Sequence, residues 1–376
     1  MNRPAKISQL DSIRGLSFLA VFIYHTIRPA SGSNLVWNFL VYIYSHLFLG
    51  IEVFFVLSAF LLTWLGLNEN KQRGSFSFKN YFIRRILRIW PLYYFILIIA
   101  FLVIPLVTSK LHMHVSLPDP LWYIFFVSNF YYIDHIFFLR FLWSIAVEEQ
   151  FYFLQGICLK FLSQYLPLVF LILAMISIFS SCYHLLTGKG DYSNTLTYFF
   201  DFAVGGVAAY VLFYSKGLVR FLTHLPRWLT VVFYAYILIH FFIFYIIDID
   251  FKGDKRIVEL VSRYLFIIYT ALFILEQIVN NKRTKILEKF RFLRFTGKLS
   301  YGLYCYHGIA ITFFSILFKK LNLKIQDFIF FSLTLLLSYL LAIVSYRYLE
   351  SPFLRLKERF RNTRINEITG ARESGA

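Results

Sequence analysis

The chain has 376 residues, 59% of them hydrophobic and only 15% charged, with a mean hydropathy of +0.64. A soluble domain carries about 25% charged residues, so this composition excludes an ordinary soluble globular protein. The formal net charge of +18 is read as membrane topology, because basic residues gather in cytoplasmic loops, and not as the mark of a nucleic-acid partner.

Apolar runs recur along most of the chain, many reaching 18 or more residues, the length that crosses a bilayer as a helix. They do not alternate in polarity, as barrel strands do. The expected fold is therefore all-α: a polytopic membrane protein with about ten transmembrane helices. These lie near residues 9–28, 44–67, 86–107, 141–160, 166–186, 196–215, 228–247, 262–280, 300–318 and 327–347. With the N-terminus cytoplasmic, the inside segments 1–14, 68–88, 160–165, 216–227, 281–298 and 347–376 hold 27 of the 38 Lys and Arg. The opposite orientation inverts that ratio. An even number of spans returns the C-terminus to the cytoplasm, where the basic stretch RLKERFRNTR belongs.

The first span, LDSIRGLSFLAVFIYHT, lacks a small-residue cleavage site and is not expected to be a cleaved signal. It carries Arg14 and His25, eleven residues apart. At 100° per residue both leave one face of the helix, about 16 Å apart along its axis. Asp11, three residues before Arg14, can pair with it. In the second span, GIEVFFVLSAFLLTWL, Glu52 opens an apolar run and calls for a partner. Ser58 and Ala59 read as a small-residue packing patch.

The third span begins FIRRILRIWPLYYF. Arg84, Arg85 and Arg88 stand at its cytoplasmic start, and Pro91 is expected to kink or reset that start. Arg85 and Arg88 share a face at i,i+3. Topogenic charge alone can account for them, but two planar guanidiniums on one face also suit phosphates at a membrane surface. The outside loop that follows this span, near 108–140, contains LHMHVSLPDPLWYIFFVSNFYYIDH, whose aromatic character fits an interfacial or re-entrant segment. The fourth span, LWSIAVEEQFYF, holds consecutive carboxylates, Glu148 and Glu149. Tyr152 lies four residues after Glu148 on the same face. Adjacent carboxylates in an apolar helix are poorly explained by packing and are functional candidates.

Later spans add weaker candidates. Asp201 and His240 are as readily explained by helix–helix hydrogen bonds as by catalysis. His307 begins a tyrosine-rich span, and Glu350 is expected to pair with Arg347 at a helix end. Cys158, Cys182 and Cys305 match no zinc or redox spacing, so free thiols, no disulfide and no metal are expected. No Gly-rich phosphate loop, G-x-S-x-G or zinc motif is present, which argues against an ATP-driven pump.

Six pieces, in order, resemble the membrane acyltransferase 3 family, which includes bacterial O-antigen and exopolysaccharide O-acetyltransferases. They are LDSIRGLSFLAVFIYH, GIEVFFVLSAF, RRILRIWP, WSIAVEEQFY, GKLSYGLYCYHG and SYRYLESPF, spanning residues 10–353. Two small residues depart from the pattern: Ala59 replaces the usual glycine, and Ala146 stands where many members have serine. The resemblance implies a stand-alone transmembrane acyltransferase domain over 1–353 and a basic cytoplasmic tail over 354–376. It implies a multi-pass protein of the inner (cytoplasmic) membrane that moves an acyl group, acetyl by default, from cytoplasmic acyl-CoA to a hydroxyl of a cell-surface or lipid-linked saccharide.

Within that expectation His25 is the general base or the acyl carrier, since imidazole titrates near neutrality. Glu148 orients His25 or serves as a second acid/base. Arg14 lines the donor path or, as a catalytic residue, stabilises developing charge, and Arg85 and Arg88, with Arg84, hold the coenzyme phosphates. Asp11, Glu52, Glu149, Tyr152 and His307 are further candidates. The alternative is a transporter of polysaccharide units or small molecules, or a transferase with a lipid-linked donor. A transporter should show inverted repeats, and none is evident.

Overall fold

The structure, a computed structural model, describes residues 8–29, 32, 34–110, 116–131, 137–188, 193–224, 226–279, 286–323 and 326–360. Every regular element among them is helical. Helix α1 (Ser8–Thr26) carries Asp11 in its first turn and His25 in its last, each on the side its dipole favours. The face of the bundle where α1 begins is here the near face, its opposite the far face. Helix α2 (Leu35–Ser45) is capped by Asn34, whose side chain accepts from the Val36 amide at 2.8 Å. A 3-10 turn, Leu47–Leu49, leads into α3 (Gly50–Arg73), which returns to the near face and stops at Gly74 in a left-handed conformation, φ +73°.

Helix α4 (Phe78–Ile98) starts from the Ser77 cap and runs through a π turn, Ile99–Val103, into α5 (Ile104–Lys110). This corrects one expectation. Pro91 does not reset the helix start, and Arg84, Arg85 and Arg88 lie inside a continuous helix that begins well before them. Membrane helices tolerate an internal proline because neighbouring groups satisfy the freed backbone. Part of the 108–140 segment is described. It contains α6 (Pro120–Ile124) and is tied to its neighbours: the Tyr93 hydroxyl donates to the Tyr123 carbonyl at 2.8 Å, and the Gln150 amide donates to the Phe126 carbonyl at 2.7 Å.

Next come α7 (Trp143–Phe161), α8 (Leu166–Thr187), α9 (Phe199–Tyr214), α10 (Lys216–Thr223), α11 (Arg227–Asp250), α12 (Lys255–Val279) and α13 (Ile286–Lys289). Then follow α14 (Arg291–Lys320), α15 (Asp327–Ser345), a π turn over Tyr346–Glu350 and α16 (Ser351–Glu358). Among the described residues, eight helical runs are long and apolar enough to cross a membrane. Helices α1 and α7 have 19 residues each but are not among the eight. They are diluted by Asp11, Arg14 and His25 in one and by Glu148 and Glu149 in the other, the polar groups singled out above.

These two helices are enclosed by the rest. Phe18, Phe22, Phe55, Tyr93, Phe151 and Phe202 form the centre of one core, with the Phe151 and Phe202 rings stacked at 3.8 Å. Helices α1 and α14 cross almost backbone to backbone at Gly15 and Gly297, where a Cβ on Gly297 would overlap the Asp11 carbonyl. Overpacking of this kind costs about 1–3 kcal/mol. Gly297→Ala is therefore expected to lower the thermal unfolding midpoint of the detergent-solubilised protein, and an unchanged midpoint would contradict so tight a crossing.

Candidate active site

Toward the far face, α1 and α14 bring two histidines together. His307 is fully buried, and its Nδ1 lies 2.6 Å from the Tyr304 carbonyl. A carbonyl only accepts, so His307 Nδ1 carries the proton and its Nε2 is the lone-pair nitrogen. That Nε2 lies 3.3 Å from His25 Nδ1. Neutral His25 must then donate from Nδ1, which leaves its own Nε2 as the basic nitrogen. Among the described residues that Nε2 has no hydrogen-bond partner. Phe141 packs against both rings, its centroid 4.5 Å from that of His25 and 4.4 Å from that of His307. Phe18 and Phe22 complete the walls around His307.

One turn nearer the near face, the hydroxyls of Tyr304 and Ser144 lie 2.7 Å apart, joining α14 to α7. One turn further along α7 is Glu148. Its Oε1 accepts from the Ser58 hydroxyl at 2.8 Å, and Ser58 in turn accepts from the Tyr152 hydroxyl at 3.1 Å. Two expectations change here. The side chain that meets His25 is His307, not Glu148. Ser58, which looked like a packing residue, is part of the polar network.

The cationic cluster follows. Arg14, Arg85 and Arg88 lie within electrostatic reach of one another, and Arg14 and Arg85 also reach Glu148. Arg85 sits over the Tyr152 ring at 5.7 Å, and its buried Nε has no hydrogen-bond partner among the described residues. Arg14 pairs with Asp11 at 3.6 Å, as the spacing anticipated. No described carboxylate lies within ion-pair distance of Arg85 or Arg88. Arg84 is different: it is paired with Glu69 at 3.0 Å and donates to the Phe360 carbonyl at 2.8 Å. It is a strut and not part of the open cluster, which corrects its grouping with Arg85 and Arg88.

Unpaired guanidiniums at one level, carboxylate and hydroxyls at the next, and a histidine pair beyond make a polar line through an apolar bundle. A family model described as an acyltransferase domain matches residues 7–347, which covers this whole line. The chain belongs to the acyltransferase 3 family. It is 25% identical over 375 residues to O-acetyltransferase OatA of Staphylococcus aureus (strain NCTC 8325 / PS 47), with 94% of this chain and 58% of that protein covered. A second relative, named "Putative O-acetyltransferase SACOL0978" in S. aureus strain COL, is 28% identical over 370 residues, covering 92% of this chain and 57% of its own length. The chain thus spans under three-fifths of the length of these curated relatives. No solved structure matches. The family match favours the acyltransferase expectation over the transporter alternative, and the eight apolar helical runs among the described residues fit a multi-pass membrane protein.

The other candidate residues fall outside the line or at its margin. Glu149, next to Glu148, turns to the Trp90 indole N–H at 3.4 Å. Gln150 reaches Asn129, at 2.7 Å. Three consecutive residues of α7 thus bind three different neighbours. Glu350 accepts from Ser345 at 3.3 Å and faces Arg88. Arg347, its expected partner, lies instead over the Tyr348 ring. His240 is buried between Ser262, at 3.1 Å, and Tyr236, at 3.3 Å, a helix–helix contact between α11 and α12. No group of metal-ligating side chains occurs among the described residues.

Glu52 finds the partner it called for in Arg263, which the sequence reading did not single out. Arg263 Nε meets Glu52 at 2.6 Å, and its Nη2 meets Asp201 at 2.8 Å. Both carboxylates are buried, at 1% and 0% exposure. Removing one partner of a buried ion pair costs about 3–5 kcal/mol, because the remaining charge is left uncompensated. Arg263→Met should therefore sharply reduce the folded protein recovered from membranes. Replacing Glu52, Asp201 and Arg263 together by apolar residues should restore much of it, and failure of the triple variant to improve on the single one would contradict the assignment.

Proposed function

We propose that this protein carries an acetyl group from cytoplasmic acetyl-CoA to a hydroxyl of a cell-surface or lipid-linked saccharide. One observation carries the proposal: Arg14 and His25 share one face of α1, about 16 Å apart, with Arg85 and Arg88, neither within ion-pair distance of a described carboxylate, at one end and the histidine pair at the other. Cations held in an apolar bundle without a close ion pair are costly, and a polyanion would supply one. The coenzyme phosphates supply it, since planar guanidiniums bind phosphate well. The pantetheine arm then extends along the line past Glu148, Ser144 and Tyr304. It brings the thioester carbonyl to His25.

At His25 the acceptor hydroxyl gives its proton to Nε2 while its oxygen forms a bond to the thioester carbon. The carbon–sulfur bond breaks, and the imidazolium returns the proton to the departing thiolate. His307 holds His25 in the tautomer that can accept that proton, and the Arg14–Glu148 level serves the donor path. The names of the relatives support acetyl as the group and oxygen as the acceptor. Helices α1 and α7, added to the eight apolar runs, make ten spans in the inner membrane. The near face and both ends are then cytoplasmic, in keeping with the basic inside segments. The transmembrane acyltransferase domain covers 1–353, and the basic tail follows.

The direct test incubates purified protein with acetyl-labelled acetyl-CoA and cell-envelope saccharides. Base-labile label on the saccharide is the expected result. Release of free labelled acetate with every saccharide fraction unlabelled would overturn the reading.

A further inference from the structure

Resting on that reading of the donor site, we propose that Lys357 of α16 is a fourth cation of the site, a specificity residue for the phosphates of the donor. The short helix α16 packs across α4 at the near face. Lys357 is half-buried there, and the charges acting on it are Arg88, Arg85 and Arg14, with its sequence neighbour Glu358. Among the described residues, no carboxylate lies within ion-pair distance of its amine and no hydrogen bond satisfies it. A lysine placed beside three arginines should swing away into water, since its stem is long and flexible. Here its helix is held in place.

The strut is Arg84. It is bound to Glu69 of α3 at 3.0 Å and donates to the Phe360 carbonyl, just past the end of α16, at 2.8 Å. Glu69 also accepts from the Ser77 amide at 3.0 Å, at the cap of α4. The three arginines of the motif thus divide their work. Arg85 and Arg88 face the site, and Arg84 holds the roof that presents Lys357 to it. Four cations gathered by the fold on one small region, three of them beyond ion-pair distance of any described carboxylate, suit a ligand carrying several phosphate charges better than a single carboxylate or a neutral thioester.

The test compares two donors on the full-length protein: acetyl-CoA, and acetyl-pantetheine, which has the same thioester and arm but no phosphates. Lys357→Gln and Lys357→Met should each raise the KM for acetyl-CoA about tenfold, the loss of one charge-assisted contact. They should leave use of acetyl-pantetheine and the KM for the saccharide at the wild-type level. Lys357→Arg should recover most of the acetyl-CoA affinity. If the variants weaken both donors equally, Lys357 is a packing residue and the inference is wrong. If the wild-type protein takes acetyl-pantetheine as readily as acetyl-CoA, the phosphate clamp of the proposed function falls first, whatever Lys357 does.

Discussion

Replacing His25 by alanine is expected to lower acetyl transfer by about 10²–10⁴-fold, the range a positioned general base supplies, while the protein stays folded in the membrane. His25 ends α1 on a partly open rim and, among the described residues, has a single hydrogen bond, to a neighbouring ring, so its loss leaves no buried charge behind. The companion variant His307→Phe keeps the ring volume but removes the acceptor for His25 Nδ1–H. It should cost less than His25→Ala, because the imidazole remains and only its tautomer is released. The assay is acetyl ester formed per folded protein, normalised to monodisperse protein recovered in detergent. Equal activity in His25→Ala and wild type would remove His25 from the chemistry.

The second large effect is at the other end of the line. Arg85→Ala with Arg88→Ala should raise the KM for acetyl-CoA by two orders of magnitude or more, since each hydrogen bond to a charged group contributes about 1.5–3 kcal/mol. The saccharide KM should not move. The double variant also removes two cations that repel Arg14 and Lys357, so the empty protein should unfold no more easily than wild type. Arg84→Ala is the control that separates site from strut. It breaks a buried pair with Glu69, so stability falls first, and donor binding follows only through the roof it holds. An unchanged donor KM in the double variant would leave the cluster as topogenic charge.

How much of this could be read from the sequence depends on what decides each feature. The helical class, the run lengths and the polar exceptions within them follow from local composition and helix periodicity. That is why Arg14, His25, Glu148 and the Arg85–Arg88 pair stood out. Which residues meet across helices does not follow. His307 was visible as a histidine in a span, yet its partnership with His25 depends on the α1–α14 crossing, which the glycines permit but do not announce. Ser58 resembles any small residue until α3 meets α7. Arg263 carries no signal in the sequence, because a span expected from 262 leaves it at a boundary where arginine is ordinary. The helix begins at Lys255, which places Arg263 two turns inside. Lys357 was counted with a basic tail, because nothing local shows that α16 folds back across α4.

The central claim is that donor and acceptor meet from opposite sides of the membrane through one line of residues. It is tested most directly in sealed proteoliposomes of one orientation, with labelled acetyl-CoA on the side of Arg85 and Arg88 and the saccharide on the side of His25. The expected result is acetylated saccharide on the His25 side, absent in His25→Ala and absent when acetyl-CoA is placed only on the saccharide's side. Product that forms only when both substrates share one compartment would contradict the account.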